Sequence, residues 1–151
     1  MRPRTNRQNH DAVFLDANVL IYAVGSDEAL RTRCRTALRA AVAQRVTLVT
    51  SAEVLQEILY RFFSINRPDS ARTVYGTATE LCSEILPVTE RHTARALDLL
   101  LQHRRLSPRD ALHVATMEDR GIRRLLSTDR DFDALEMVDR IDPATLAGPL
   151  A

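Results

Sequence analysis

Four acidic side chains interrupt the most apolar segments of this 151-residue chain: Asp16 in VFLDANVLIY, Glu57 in SAEVLQEILY, Asp110 in SPRDALHVA and Asp129 in LLSTDRDF. An ionised carboxylate in apolar surroundings is costly unless it is paired, hydrogen-bonded or bound to a cation. A divalent metal shared by the four is the simplest single explanation, since one cation can compensate several hard oxygen ligands at once.

Each acid also has a local alternative. Asp16 closes an apolar run and can cap a helix that follows Ala17; Asn18 adds a polar group suited to orienting a metal-bound water or a phosphate. Glu53 and Glu57 lie one helical turn apart on one face and compete for one role. Thr50-Ser51-Ala52-Glu53 reads as a capping box, which occupies Glu53 at the helix N-terminus and leaves Glu57, with no local partner, as the site candidate. Asp110 sits at the third helical position after Ser107-Pro108, where an acid also stabilises the helix dipole. The helix it opens is apolar (Ala111, Leu112, Val114, Ala115) and packs on the sheet, so its N-terminus is aimed at the pocket. His113 on that helix reads as a packed or partly exposed histidine rather than a ligand. Asp129, Asp131 and Asp133 alternate through a loop, but the glycine and distal glutamate of an EF-hand are missing. Asp129 is nearest the strand end and is the candidate; Asp131 acts through water, and Ser127 and Thr128 help hold a phosphate or solvent molecule.

The elements that must carry these residues follow from apolar periodicity. Residues 12–16 form a strand buried on both faces, Asn18 to Ala23 a short helix, and Glu28 to Gln44 a helix with Leu30, Cys34, Leu38 and Ala41 on one face. A strand at Thr47–Thr50 leads into a helix to about Phe63, whose core stripe is Leu55, Leu59 and Phe62. Pro68 opens a helix to about Glu84 with Ala71, Val74, Ala78 and Leu81 inward, followed by a strand at Leu86–Val88. Thr89 caps a helix to about His103, and Ser107-Pro108 opens another that stops at Gly121. Arg124–Ser127 is the next strand; one helical turn at Asp133–Leu135 and a weak strand near Met137–Ile141 complete the chain. Strands alternating with helices specify an α/β fold with a parallel sheet and helices on both faces, whose ligands gather at the carboxyl ends of strands.

Composition narrows the function classes. With 45% hydrophobic residues the chain supports one core-bearing domain. All 21 basic residues are arginine, and the absence of lysine removes P-loop nucleotide binding, Schiff-base chemistry and phosphoryl-transfer folds that place a lysine beside an acidic pocket. A net charge of +1 exerts no global pull on nucleic acid or membrane. Cys34 and Cys82 lack metal-ligand spacing and read as small core residues in a reducing compartment. Residues 1–11 read as a flexible polar leader and 147–151 as a tail; without an apolar targeting segment or membrane span, the expected location is the cytoplasm.

Taken in order, FLDANVLIYA, TSAEVLQEILYRF, LSPRDALHVATM and LLSTDRDFD resemble the successive motifs of the PIN-domain family, in particular the VapC-type toxins of bacterial toxin–antitoxin pairs. The resemblance covers Val13 to Pro143. It departs at Ala17, where many relatives have Thr, and at Arg109, where an aromatic is common. It implies a PIN-like nuclease domain over 12–146 whose acidic tetrad is Asp16, Glu57, Asp110 and Asp129, binding Mg²⁺ or Mn²⁺. It implies further an endoribonuclease toxin that hydrolyses RNA phosphodiester bonds through a metal-activated water, forms a homodimer and is inhibited by a cognate VapB-type antitoxin. Arg31, Arg33, Arg35, Arg39, Arg104, Arg105, Arg109 and Arg130 are candidates to track RNA phosphates. Two alternatives share the fold or the pocket: a catalytically silent interaction module, and another acidic-pocket metal-dependent phosphoesterase.

Overall fold

Five short apolar runs become the strands β1 (Val13–Leu15), β2 (Leu48–Ser51), β3 (Glu84–Leu86), β4 (Arg124–Leu126) and β5 (Asp139–Ile141) of one sheet, ordered β3-β2-β1-β4-β5 with every pairing parallel. The computed structural model describes residues 11–147, without the side chain of Ala147. The expected leader lies outside the described residues except for Asp11, as does the expected tail except for the backbone of Ala147. β1 and β2 are buried along their whole length, as strands covered on both faces require. Phe14 is paired with Val49 on one side and Leu125 on the other. The outer strands carry charge, Glu84 on β3 and Asp139 and Arg140 on β5, which discourages further strand pairing.

The connections are helical: α1 (Ala17–Tyr22) and α2 (Glu28–Ala43) between β1 and β2, α3 (Ala52–Ser64) and α4 (Pro68–Leu81) between β2 and β3, and α5 (Glu90–Gln102) and α6 (Pro108–Asp119) between β3 and β4. Local chemistry sets their starts. Asp27 accepts from Leu30 N at 3.0 Å, Ser51 from Val54 N at 3.2 Å and Ser107 from Asp110 N at 3.1 Å, while Pro68 and Pro108 supply a preset φ in the first turn. Phe14, Leu15, Ile58, Leu99, Leu125, Leu126 and Phe132 are buried at the centre. Among the described residues, no helix is long and apolar enough to cross a membrane. Cys34 and Cys82 are buried and unbonded to each other, as core residues, and burial pushes their thiols up to about 11 and about 12.

Several boundaries differ from the sequence expectation. α4 ends at Leu81 rather than near Glu84, because Ser83 N bonds Leu48 O at 2.9 Å and Glu84 and Ile85 pair with Val49 and Thr50. β3 therefore precedes the expected Leu86–Val88. The core stripe of α3 is Val54, Leu55, Ile58 and Phe62, whereas Leu59 is exposed. The turn expected at Asp133–Leu135 is a 3-10 helix over Arg130–Ala134. A last helix, α7 (Pro143–Ala147), was not expected; Asp142 caps it by accepting from Ala144 N at 2.8 Å, and it packs on α2.

Candidate metal centre in an acidic cleft

β1 is followed in sequence by a chain that crosses to β2 on one side, while its other neighbour is β4. The carboxyl ends of β1 and β4 thus border the switch point where parallel sheets leave a crevice. Asp16 occupies the first position past β1, its N–H bonded to Leu126 O at 3.1 Å. It stands at the N-cap of α1, yet its side chain makes no capping hydrogen bond. Instead Oδ2 accepts from the Ser127 hydroxyl at 2.7 Å and from Asn18 Nδ2 at 3.1 Å. Ser127 Oγ also accepts from Asn18 Nδ2 and from Asp129 N, each at 3.1 Å, and Asn18 Oδ1 accepts from Thr128 N at 3.3 Å. Asn18 and Ser127 therefore tie the two strand ends together and fix Asp16. Only 3% of Asp16 is exposed; this burial raises its pKa, against the lowering by His113 and Ser127 and with a further push from Glu57.

Glu57 reaches the same point from mid-α3. Its Oε1 accepts from Arg109 Nη1 at 3.3 Å and its Oε2 lies 3.4 Å from His113 Nε2. The capping box expected at Thr50–Glu53 does not form: the N-cap is Ser51, and the buried Thr50 hydroxyl donates to Leu15 O at 2.8 Å. Glu53 is therefore free of the helix end and stands 3.8 Å from Arg109 Nε. Glu57 keeps its place in the cleft, but the reason that separated it from Glu53 is removed.

His113 is packed, as expected, but it is not a bystander. It is fully buried, with Nε2 3.8 Å from Asp16 Oδ1, and Asp16, Glu57 and His113 each present an atom within 4.8 Å of the others. Burial lowers its pKa, but the Glu57 hydrogen bond and the charges of Asp16, Glu57 and Asp110 outweigh that and raise it. Its Nδ1 is buried without a hydrogen-bond partner among the described residues. The signal was its spacing: three residues after Asp110, it shares that acid's face of α6.

Asp110, the third residue of α6, holds its proton up to a pKa of about 6, chiefly through burial and then through the charges of Asp16 and Asp129, against the opposing effects of His113 and Ser107. Asp129 follows β4 and caps the 3-10 helix, Oδ1 accepting from Asp131 N at 2.9 Å. The D-x-D-x-D run divides its labour, for Asp131 is exposed and Asp133 forms a two-pronged pair with Arg140 at 2.8 and 3.1 Å. Asp16, Glu57, Asp110 and Asp129 all line one cleft of about 570 Å³, together with Asn18, Glu53 and Arg109. Of the arginines expected on phosphates, Arg31 and Arg35 donate to Gly25 O and Ala23 O, which makes them staples of the loop after α1, while Arg33, Arg39, Arg104, Arg105 and Arg130 are exposed.

The family model described as the PIN domain matches residues 13–137. The chain is 35% identical to Ribonuclease VapC13 of Mycobacterium tuberculosis, covering 85% of this chain and 98% of that protein. It is 38% identical to Ribonuclease VapC23 of the same species, covering 78% and 92%. Among solved structures, M. tuberculosis VapC20, described as a Sarcin-Ricin loop cleaving toxin, superposes with a TM-score of 0.69 at 21% identity over 84% of this chain and 97% of that one. VapBC2 from Rickettsia felis bound to a promoter DNA fragment gives 0.67 at 15% identity over 86% and 97%; these two likenesses concern the fold.

Proposed function

This chain belongs to the PIN-domain family, and on that premise we propose that it is a metal-dependent endoribonuclease, the toxin of a toxin–antitoxin pair. The observation that carries the reading is the convergence of Asp16, Glu57, Asp110 and Asp129 on one cleft, with Asp16 buried and unpaired by any arginine in the described residues. Asp16, Asp110 and Asp129, with Glu57, would hold Mg²⁺ or Mn²⁺. The donor set fits: it is dominated by carboxylate oxygens, the ligands these ions prefer, and the pKa values of Asp16 and Asp110 are raised first by burial and then by neighbouring carboxylates, both of which a cation would offset. When bound, such a cation supplies Lewis acidity to a phosphodiester and acidifies water.

The protein's own part is positioning. Ser127 and Asn18 hold Asp16 in one orientation at the strand end, so the carboxylate does not reorganise as charge develops at the substrate. His113, from beneath, donates to Glu57 and fixes it against α6. The cleft is open at the carboxyl ends of the strands, where an RNA backbone can enter. Because the similar proteins are VapC ribonucleases and the structural neighbours include VapBC complexes, the partners we propose are an RNA substrate, a cognate VapB-type antitoxin and a second copy of this chain, in the cytoplasm.

The test is cleavage of RNA by purified protein with Mg²⁺ or Mn²⁺, with EDTA, and with Asp16→Asn. Cleavage that needs the metal and is lost in the variant supports the reading. A wild-type protein that leaves RNA intact under both metals overturns it in favour of a silent PIN-fold module.

A further inference from the structure

Arg109 is the single basic side chain that lines the acidic cleft among the described residues. Its position is not explained by the helix that carries it: it lies in the first turn of α6, where a cation opposes the helix dipole. Its head is held by cleft residues of α3 instead, 3.3 Å from Glu57 and 3.8 Å from Glu53, with its Cζ 5.7 Å from the ring centroid of the exposed Tyr60. These contacts are loose beside the two-pronged pairs elsewhere in the molecule, such as Arg95 with Glu118 at 2.8 and 3.2 Å. The guanidinium is divided between two carboxylates, with one long hydrogen bond to Glu57 and none to Glu53, and 38% of the side chain is open to solvent.

A polyanion entering this cleft meets five carboxylates, Asp16, Glu53, Glu57, Asp110 and Asp129, against one fixed positive charge. We propose that Arg109 is the substrate-phosphate-binding residue of the cleft: on RNA binding its guanidinium exchanges Glu57 for non-bridging oxygens of a backbone phosphate, while Glu53 and the Tyr60 ring keep it at the rim. The planar fork suits bidentate phosphate recognition. The exchange also frees Glu57 Oε1 for the cation, so one side-chain movement completes both the anion-binding and cation-binding halves of the site. This rests on the ribonuclease reading above.

The experiment measures binding of labelled mixed-sequence single-stranded RNA and of bulk transfer RNA across a salt series, in an Asp16→Asn background that prevents cleavage, with and without Arg109→Gln or Arg109→Lys. Arg109→Gln should weaken binding about tenfold, the scale of one charge-assisted contact, and make the slope of log K against log salt shallower by about 0.7, one phosphate contact on a single strand. Arg109→Lys should restore the slope but only part of the affinity. In the cleavage-competent protein the loss should fall mainly on KM, and the rise in melting midpoint with Mn²⁺ should survive in Arg109→Gln. RNA binding by the parent with an unchanged slope in Arg109→Gln overturns the inference and leaves the ribonuclease reading standing. Loss of the Mn²⁺ response in Arg109→Gln also overturns it, because Arg109 would then act by holding Glu57. Failure of both the parent and the wild-type protein, the latter held in EDTA to prevent cleavage, to bind either RNA removes the ribonuclease reading and this inference with it.

Discussion

The two ends of α6 treat their acids in opposite ways. At the C-terminal end, Asp119 is engaged by His92 Nε2 at 2.9 Å and Arg91 Nη2 at 2.9 Å, and Glu118 by Arg95; the His92 hydrogen bond, then Arg91, holds the Asp119 carboxyl below its ordinary range despite some desolvation. At the N-terminal end, Asp110 is desolvated by burial and faces Asp16 and Asp129, and its pKa rises to about 6. The helix dipole favours acids at the N-terminus and disfavours them at the C-terminus, so it predicts the reverse of what is found. Partners within a few ångströms and burial outweigh it, and an acid left without a cation at the more favourable end of a helix marks a site in need of a ligand.

The contrast breaks most sharply at Asp16. Asp16→Asn keeps the shape and the Ser127 bond while removing one charge, and should reduce RNA cleavage at least about a hundredfold, more than loss of a group that merely orients a ligand, with an unchanged circular dichroism spectrum. Cleavage at the wild-type rate under saturating Mg²⁺ would mean the buried acid is structural. Next, Glu57→Gln should cost far more activity than Glu53→Gln, since Glu57 is the one that meets Asp16 and His113. Equal losses at matched melting temperature would make the two glutamates interchangeable. The N-cap assignment is checked in parallel by Ser51→Ala, which should lower stability by about 1 kcal/mol, an effect that Glu53→Gln should not reproduce.

The third effect reverses the usual sign of a mutation. With its folded pKa near 6 against 3.8 for an ordinary aspartate, Asp110 makes the metal-free native state bind more protons than the unfolded chain between those values. Stability is therefore favoured below about 4 and lost as pH rises through about 6. Asp110→Asn should stabilise the metal-free protein at pH 7 by on the order of 2 kcal/mol, seen as a higher melting temperature, and the gain should vanish near pH 4 and shrink when Mn²⁺ is added to both proteins. A destabilised variant at pH 7 would contradict the account in which burial and then neighbouring charge disfavour the ionised Asp110. The smallest effect belongs to the paired end. Asp119→Asn should cost about 0.2–1 kcal/mol, as exposed pairs do, with no change in cleavage. Because the Asp119 pKa is depressed, its contribution is present above the unfolded value and lost as pH falls through the folded one, so a pH scan should separate the two ends of one helix by sign.

Asp16, Asp110 and Asp129 were legible because each stood where a strand ended or an apolar helix began, and the chain order of those elements forced them to the same end of the sheet; Glu57, in the middle of α3, stood out only as an acid with no local partner. What the sequence concealed depended on distances between elements. Thr50 looks like a helix cap until β1 is placed beside it and its hydroxyl is taken by Leu15 O; only then is Ser51 the cap and Glu53 released to the cleft. His113 looks like core because it is core, and its second role appears only when α3 brings Glu57 across from it. Helix periodicity ran on through Leu81 toward Glu84, and the pairing that cuts it short belongs to β2, more than thirty positions earlier, as Ser83 shows in reaching back to Leu48 across 35 residues. Leu59 fits the apolar rhythm of α3 as well as Ile58 does, and which of them faces inward is decided by the neighbouring helices.

The Ser127 hydroxyl that steadies Asp16 comes from 111 positions away along the chain. A ribosome releasing this polypeptide emits Asp16 and Glu57 early, yet β1, in the middle of the finished sheet, keeps an open edge until β4 arrives, and Asp129 emerges later still. Pairings of such long sequence separation close slowly and late in folding, and no shorter segment contains the constellation. Completion of the acidic cleft is therefore postponed by topology: a partly made molecule lacks it, and on the ribonuclease reading proposed above the interval between the appearance of the chain and the appearance of its activity would be written into the order of its strands.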